Sequence, residues 1–160
     1  MAAVKHSVAV VVRGEPGAFL VVKRPEDPDD PLAGVWGLPA ITLRDGETER
    51  DAVIRAGRVK LGAELAVGDR IGEQTSDRGS YVLTLADYEA TVIGGTVTVP
   101  QPAVPSADGP MTQYTEAAFV TDPAVLADAA RKGSLCARIF LEAAGRDGTA
   151  GRDATAEIRP

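Results

Sequence analysis

The chain has 160 residues, 44% of them hydrophobic and 25% charged, the size and balance of one globular domain rather than of a membrane or disordered chain. Its 17 basic and 23 acidic side chains leave a net charge of −6, which argues against binding DNA or RNA by counterion release, so any phosphate must be met locally. A single cysteine, Cys136, and a single histidine, His6, exclude an intrachain disulfide, a His-rich zinc site and any catalytic scheme with two imidazoles.

Residues 4–13 alternate and then run apolar and β-branched, Gly14, Glu15, Pro16 and Gly17 interrupt them, and residues 18–24 resume with Phe19, Leu20, Val21 and Val22. That pattern predicts a hairpin at the heart of a sheet. The apolar run is closed by Arg13, far short of a membrane span and without a signal-peptide cleavage pattern, so no membrane contact and a cytoplasmic location are expected. Residues 25–31 hold three prolines and four acids and predict an exposed loop. A short extended segment, 41–43, follows Trp36, Gly37, Leu38 and Pro39. Residues 49–61 predict a helix with Thr48 as N-cap, Asp51 in the place of the capping-box acid and Gly62 as the stop.

Beyond it, residues 70–76 and 81–93 predict a second hairpin around Asp77, Arg78 and Gly79, with a further strand at 96–99. Residues 100–111 carry four prolines and predict a loop. Residues 113–121 form the last expected strand, Asp122 and Pro123 open a helix running to about Lys132, and a second helix is expected over 134–144. Residues 145–160 contain two near-identical six-residue units without an apolar face, expected to be a flexible low-complexity tail beyond a single domain at 1–144. The order of elements points to an α+β fold or a mixed-sheet α/β/α sandwich.

Residues 19–65 hold an apolar strand ending in Lys23 and Arg24, the run Gly34-Val35-Trp36-Gly37-Leu38-Pro39, the turn Gly46-Glu47-Thr48, Arg55 eight residues after Glu47, and Gly62 seven after Arg55. In these motifs and spacings the chain resembles the Nudix hydrolases, and with the flanking strands and helices the resemblance covers roughly residues 4–144. It implies an α/β fold, a Nudix-like α/β/α sandwich with a mixed sheet. It also implies cleavage of a diphosphate linked to another group, with Mg²⁺ or Mn²⁺ held by helix carboxylates. The chain departs from the motif where it matters. Ala56 stands where the family has the Glu after Arg, Val59 and Lys60 stand where it has a Glu-Glu pair, and Ala40 and Ile41 replace two glycines. Ala56, Val59 and Lys60 share one helix face, expected to look into a cleft, with Val53 and Leu61 turned to the sheet. No metal ligand is expected there, and any Mg²⁺ or Mn²⁺ is expected to bind weakly.

Carried over residue by residue, the catalytic candidates are Glu47 and Arg55, which also read as an ion pair tying loop to helix, and Glu116, one of three downstream strand acids with Glu73 and Glu89. The substrate-binding candidates are Arg24, Trp36 and Lys60. Lys60 reads equally as a solvated helix lysine or as a fixed cation that replaces the metal's charge. Trp36 reads first as a plug at the core edge, Cys136 as a small buried hydrophobe, and His6 as packing. The leading function is hydrolysis of a nucleotide-type or other organic diphosphate with an altered or weak metal site. The alternative is a catalytically silent module that binds a phosphate-bearing small molecule through Lys60, Arg55 and Arg24. Whether two copies pair stays open.

Overall fold

The fold is seen in a computed structural model that describes residues 3–102 and 113–145. Most of the proline-rich loop expected at 100–111, and the repeat tail from 146 onward, lie outside the described residues. The central strand, β1 (Ala3–Arg13), buries Val8, Ala9, Val10, Val11 and Val12 completely. Such an uninterrupted apolar run belongs to a strand covered on both faces.

Along its whole length β1 pairs in parallel with β6 (Tyr81–Gly95), which in turn pairs antiparallel with β5 (Ala63–Asp77). The other edge of β1 is divided. Its Ser7, Ala9 and Val8 pair with β4 (Ala40–Thr42), whereas Arg13 pairs with β2 (Phe19–Lys23), and between the two Val10 N donates to Pro39 O at 2.8 Å. Strand β2 runs on between β3 (Trp36–Gly37) and β7 (Glu116–Val120), completing a mixed sheet of seven strands.

Strand alternation sorts the core into two layers. Val8, Val10, Val12, Leu20 and Val22 pack with α1 (Glu49–Ala56), while Ala9, Val11, Phe19 and Val21 pack with α2 (Ala127–Arg131) and α3 (135–145). The result is the expected α/β/α sandwich. A 3-10 turn at Pro123–Leu126, capped by Asp122 on Ala124 N at 2.9 Å, leads into α2. Among the described residues no helix is long and apolar enough to cross a membrane.

Thr48 caps α1 as expected, accepting from Asp51 N at 3.1 Å, and Gly62 ends the segment at φ +67°. Between them, however, Gly57–Leu61 forms a π-helical turn, whose i→i+5 bonding shifts the angular order of the side chains. Val53 and Leu61 are fully buried against the sheet as expected, but so is Ala56, Lys60 is 5% exposed, and Val59 packs on the same core. The expectation that Ala56, Val59 and Lys60 look into an open cleft is therefore corrected: small and apolar side chains at two of these positions let the segment lie flat on the sheet and carry Lys60 inward.

Two other expectations change. Strand β5 begins directly after Gly62 rather than at Arg70; register shifts at Glu64/Leu65, Val67/Arg70 and Arg70/Gly72 break its alternation, which hides it from a period-two pattern. The strand expected at 96–99 is absent because Gly95, at φ +74°, turns the chain out of the sheet, and Thr98 N bonds Leu61 O at 2.8 Å instead.

Because β5 folds straight back over the helix end, a Cβ on Gly57 would sit 2.6 Å from Leu65 Cγ and 2.9 Å from Ala63 O. Gly57→Ala is expected to destabilise the fold by about 1–3 kcal/mol through overpacking, read as a lower urea midpoint at unchanged m-value.

Candidate functional site

Glu47 and Arg55 are brought together as their spacing implied. Arg55 Nε donates to Glu47 Oε2 and its Nη2 to Glu47 Oε1, both at 2.8 Å, and Nη2 also reaches Thr42 O at 2.8 Å. Glu47 Oε1 accepts from Arg44 N at 3.0 Å. The pair is 13% exposed on both sides, so the hydrogen bonds from Arg55 hold the Glu47 carboxyl below its ordinary range despite partial burial. A planar bidentate clamp of this kind fixes the turn, β4 and the helix to one another.

Lys60, in the π-helical turn that follows Arg55, is 5% exposed. Its Nζ stands 5.1 Å from the centre of the Tyr114 ring, within cation–π range, and among the described residues it has no hydrogen-bonding or ionic partner. Burial first, then the charges of Arg24 and Arg55, push its ammonium down to about 8. Arg24, at the end of β2, is closed by Asp30 at 2.9 Å. Tyr114, 2% exposed, is tied to the β4 backbone through Ala40 N at 2.9 Å, and burial pushes its hydroxyl up to about 12.

A cavity of about 460 Å³ opens where the sheet divides. Val22, Gly37, Ala40 and Tyr114 form its sheet end, Leu83, Leu85, Leu135 and Cys136 its apolar wall, and Arg24, Arg78 and Lys132 bring positive charge to it. Tyr114 is thus shared between the cavity and Lys60. Trp36 does not line this space but packs on the second core from the side, as a core plug does. Glu116 is not brought to the clamp: it is exposed, lies on the sheet face away from α1 by strand alternation, and meets Lys23 at 3.4 Å. Glu89 pairs with Arg13 at 2.8 Å.

The fold as a whole is matched among solved structures. The Nudix hydrolase from Nitrosomonas europaea superposes with a TM-score of 0.64 at 16% identity, covering 89% of each chain. The MutT protein from Methanosarcina mazei Go1 superposes with 0.61 at 19%, covering 91% of this chain and 96% of that one. The chain has the Nudix fold. In sequence, 88 residues are 41% identical to "Putative 8-oxo-dGTP diphosphatase 2" of two Mycobacterium tuberculosis strains, covering 53% of this chain and 58% of that protein. The chain spans somewhat over half the length of these curated relatives. No protein-family model matches it. The resemblance to Nudix hydrolases carried by residues 19–65 is borne out.

Nudix hydrolases generally use Mg²⁺ or Mn²⁺, hard cations that take oxygen ligands. At the helix positions in question this chain offers the methyl of Ala56, the isopropyl of Val59 and the ammonium of Lys60, packed on the sheet. That donor set does not fit a divalent cation.

The one oxygen-rich cluster near α1 among the described residues is His6, Glu49 and Glu73, whose ligand atoms lie within 4.8 Å of one another. A guanidinium already fills it. Arg70 bonds Glu49 at 3.0 Å and Glu73 at 2.6 Å, Tyr88 OH donates to Glu49 at 2.6 Å, and His6 Nε2 lies 2.6 Å from Glu49. The expectation that His6 merely packs is corrected: α1 places Glu49 beside it, a pairing 43 residues apart that no local pattern shows.

Sequence reasoning also missed Asp87. It is completely buried on β6, facing the second core, and neither carboxylate oxygen has a partner among the described residues. Burial raises its carboxyl well above the ordinary value; burial and this neighbour together push the Cys136 thiol up to about 11. Cys136 is buried as expected.

Two stability predictions follow from opposite shifts. Burial acts to raise the Glu49 carboxyl, but Arg70, Tyr88 and His6 outweigh it and hold it at about 2, below its ordinary 4.5. Its stabilisation is therefore complete above pH 4.5 and lost as pH falls toward 2. Glu49→Gln should lower stability at neutral pH by about 1–3 kcal/mol, and the difference should shrink across that acid window in urea titrations. Asp87 behaves oppositely. Its native carboxyl keeps a proton that the unfolded chain releases above about 3.8, so stability falls as pH rises from there. Asp87→Asn should match wild type in acid and exceed it in melting temperature at neutral pH, by a margin that grows with pH.

Proposed function

We propose that the chain acts on a nucleotide-type or other organic diphosphate, as a Nudix-type hydrolase with an altered metal site. The observation that carries this reading is the cavity at the divided sheet, apolar along Leu83, Leu85 and Leu135 and cationic at Arg24, Arg78 and Lys132. An organic diphosphate has the matching halves, a flat apolar body and a compact anionic end. Arg24, Arg78 and Lys132 line the cavity and receive the anionic end; Glu47 and Arg55 hold the loop and helix beside it, Lys60 adds its charge from behind Tyr114, and Trp36 supports the wall. The net charge of −6 favours a small ligand met locally over a nucleic acid.

A second reading, a silent module that binds such a ligand without cleaving it, is favoured by the burial of Lys60 at 5% exposure where the family has a carboxylate. A cation there attracts phosphate but does not activate a water as a bound metal does.

The test is a panel of nucleoside diphosphates and triphosphates, diphosphate-linked sugars and 8-oxo-dGTP, the last because of the mycobacterial relative's name. Each is titrated with Mg²⁺ or Mn²⁺ while turnover and melting temperature are followed. The hydrolase reading expects slow turnover of at least one member. The silent reading expects stabilisation by a ligand without turnover, and neither stabilisation nor turnover with any member sinks both.

A further inference from the structure

A carboxylate stands in the wall of the cationic cavity. Asp30 lines it together with Arg24, Arg78 and Lys132, and it is the only acid of the described residues to do so. Asp27 and Asp29 of the same loop stand outside the lining, where Asp27 Oδ1 accepts from Asp29 N at 2.9 Å. Asp128, also outside it, meets Lys132 at 3.5 Å.

Local structure fixes Asp30 in that wall. Arg24 N donates to Val35 O and Gly34 N to Arg24 O, both at 3.1 Å, so the loop is pinned at both ends to the tip of β2. Within it Asp30 N donates to Asp27 O at 3.1 Å and Ala33 N to Asp30 O at 3.0 Å, with Pro31 holding its own φ in the second turn. Asp30 Oδ1 accepts from Leu32 N at 2.8 Å and Oδ2 from Arg24 Nε at 2.9 Å. The Arg24 and Asp30 side chains are only 30% and 18% exposed, which limits screening of their charges by water and salt. An asparagine or a serine would still close the turn on Leu32 N. What the carboxylate adds is a second acceptor for Arg24 and a negative charge on the cavity wall.

Arg24 therefore meets a ligand with its own charge already balanced. Arg78, in contrast, has no carboxylate partner among the described residues; its Nη2 donates to Gly133 O at 2.9 Å. A carboxylate held beside an anion-binding guanidinium repels each further negative charge on the ligand, and placing like charges together is how a site rejects a wrong partner. A diphosphate esterified at both ends has one ionised oxygen on each phosphorus. A terminal phosphate gains a second charge with a pKa of about 6, and a triphosphate brings a further phosphorus. The repulsion from Asp30 grows along that series.

We propose that Asp30 is a specificity-determining residue of the cavity: by balancing Arg24 it shifts selectivity away from ligands with a terminal or additional phosphate and toward diphosphates esterified at both ends. The inference rests on the reading that the cavity takes an organic diphosphate. Arg24 also adds its charge to the field at Lys60, so Asp30 balances a group of cations as well. That second effect acts on stability and on all ligands alike, whereas selectivity is a ratio between ligands.

GDP-mannose, GDP and GTP share one nucleoside and differ in this charge, as do ADP-ribose, ADP and ATP. Binding of both series to the full chain is measured by calorimetry in excess EDTA, and kcat/KM in Mg²⁺ or Mn²⁺ wherever turnover occurs. Asp30→Asn should tighten the triphosphate by about tenfold and the doubly esterified diphosphate by no more than about threefold, with the nucleoside diphosphate between them. Added salt should shrink that shift. Asp30→Glu, which keeps the charge, should keep the wild-type ratio. So should Glu142→Gln, which removes the same charge outside the lining, where Glu142 meets Gln74 at 3.2 Å.

Equal tightening of all members of a series by Asp30→Asn, or no tightening, would overturn the proposal and leave the diphosphate reading intact. A less stable Asp30→Asn with an unchanged ratio would do the same, since it marks a purely structural partner for Arg24. Should that variant fail to fold, Asp30→Ser, whose hydroxyl also closes the turn on Leu32 N, is read in the same way. If the wild type neither binds nor turns over any member of either series, with or without metal, the diphosphate reading goes and the proposal with it.

Discussion

The edge of β1 that faces away from β6 is shared by two strands, and the rest of the structure follows from that sharing. Backbone groups of Ser7, Val8 and Ala9 go to β4 and those of Arg13 to β2, so the sheet must part between them. Val10, bonded to Pro39 O, bridges the gap. Buried backbone groups have to be paired, and the turn through Leu38 and Pro39 meets that demand while holding the two halves apart. The cavity is the space so opened. Tyr114 fills its floor because its hydroxyl satisfies Ala40 N at the point where β4 leaves β3.

Polar groups are distributed unevenly around this gap. On the α1 side, Glu47–Arg55 and Glu49 with His6, Arg70 and Tyr88 are networks in which each carboxylate is held by several partners. Closed networks of this kind hold one geometry, since every alternative leaves a group unpaired. Lys60 and Asp87 break the pattern, one on each face of the sheet: Lys60 is 5% exposed and makes no ion pair among the described residues, and Asp87 is completely buried with neither carboxylate oxygen partnered among them. Their charges are opposite, but the sheet lies between them and neither relieves the other. For Asp87 the relief is a proton. For Lys60, burial and the charges of Arg24 and Arg55 ease the loss of its proton near pH 8.

The π turn at Gly57–Leu61 links these two themes. It lets β5 return immediately over Gly57, where a side chain has no room, and it turns position 60 toward the core. In a regular helix the same residue would follow the α-helical period. A helix end whose period changes at a site is a recurrent mark of function, and here it is what takes a lysine out of solvent.

Much of this was legible in the residues. Length, composition and the apolar runs at Val8–Val12 and Phe19–Val22 dictate a sheet covered on both faces, because such runs have no exposed side to offer. Thr48, Gly62 and the eight-residue interval from Glu47 to Arg55 dictate a capped helix clamped to its leading turn, because capping and ion pairing at that range are local. The bulged start of β5, the absent strand at 96–99, the inward turn of Lys60 and the isolation of Asp87 were not legible. Nor were the His6–Glu49 pair, Tyr114 beneath the ammonium, or the distance of Glu116 from the clamp. Each depends on which residues meet across tens of positions in the chain, and burial, which decides whether a lysine is solvated or stranded, is a property of that meeting and of no single segment.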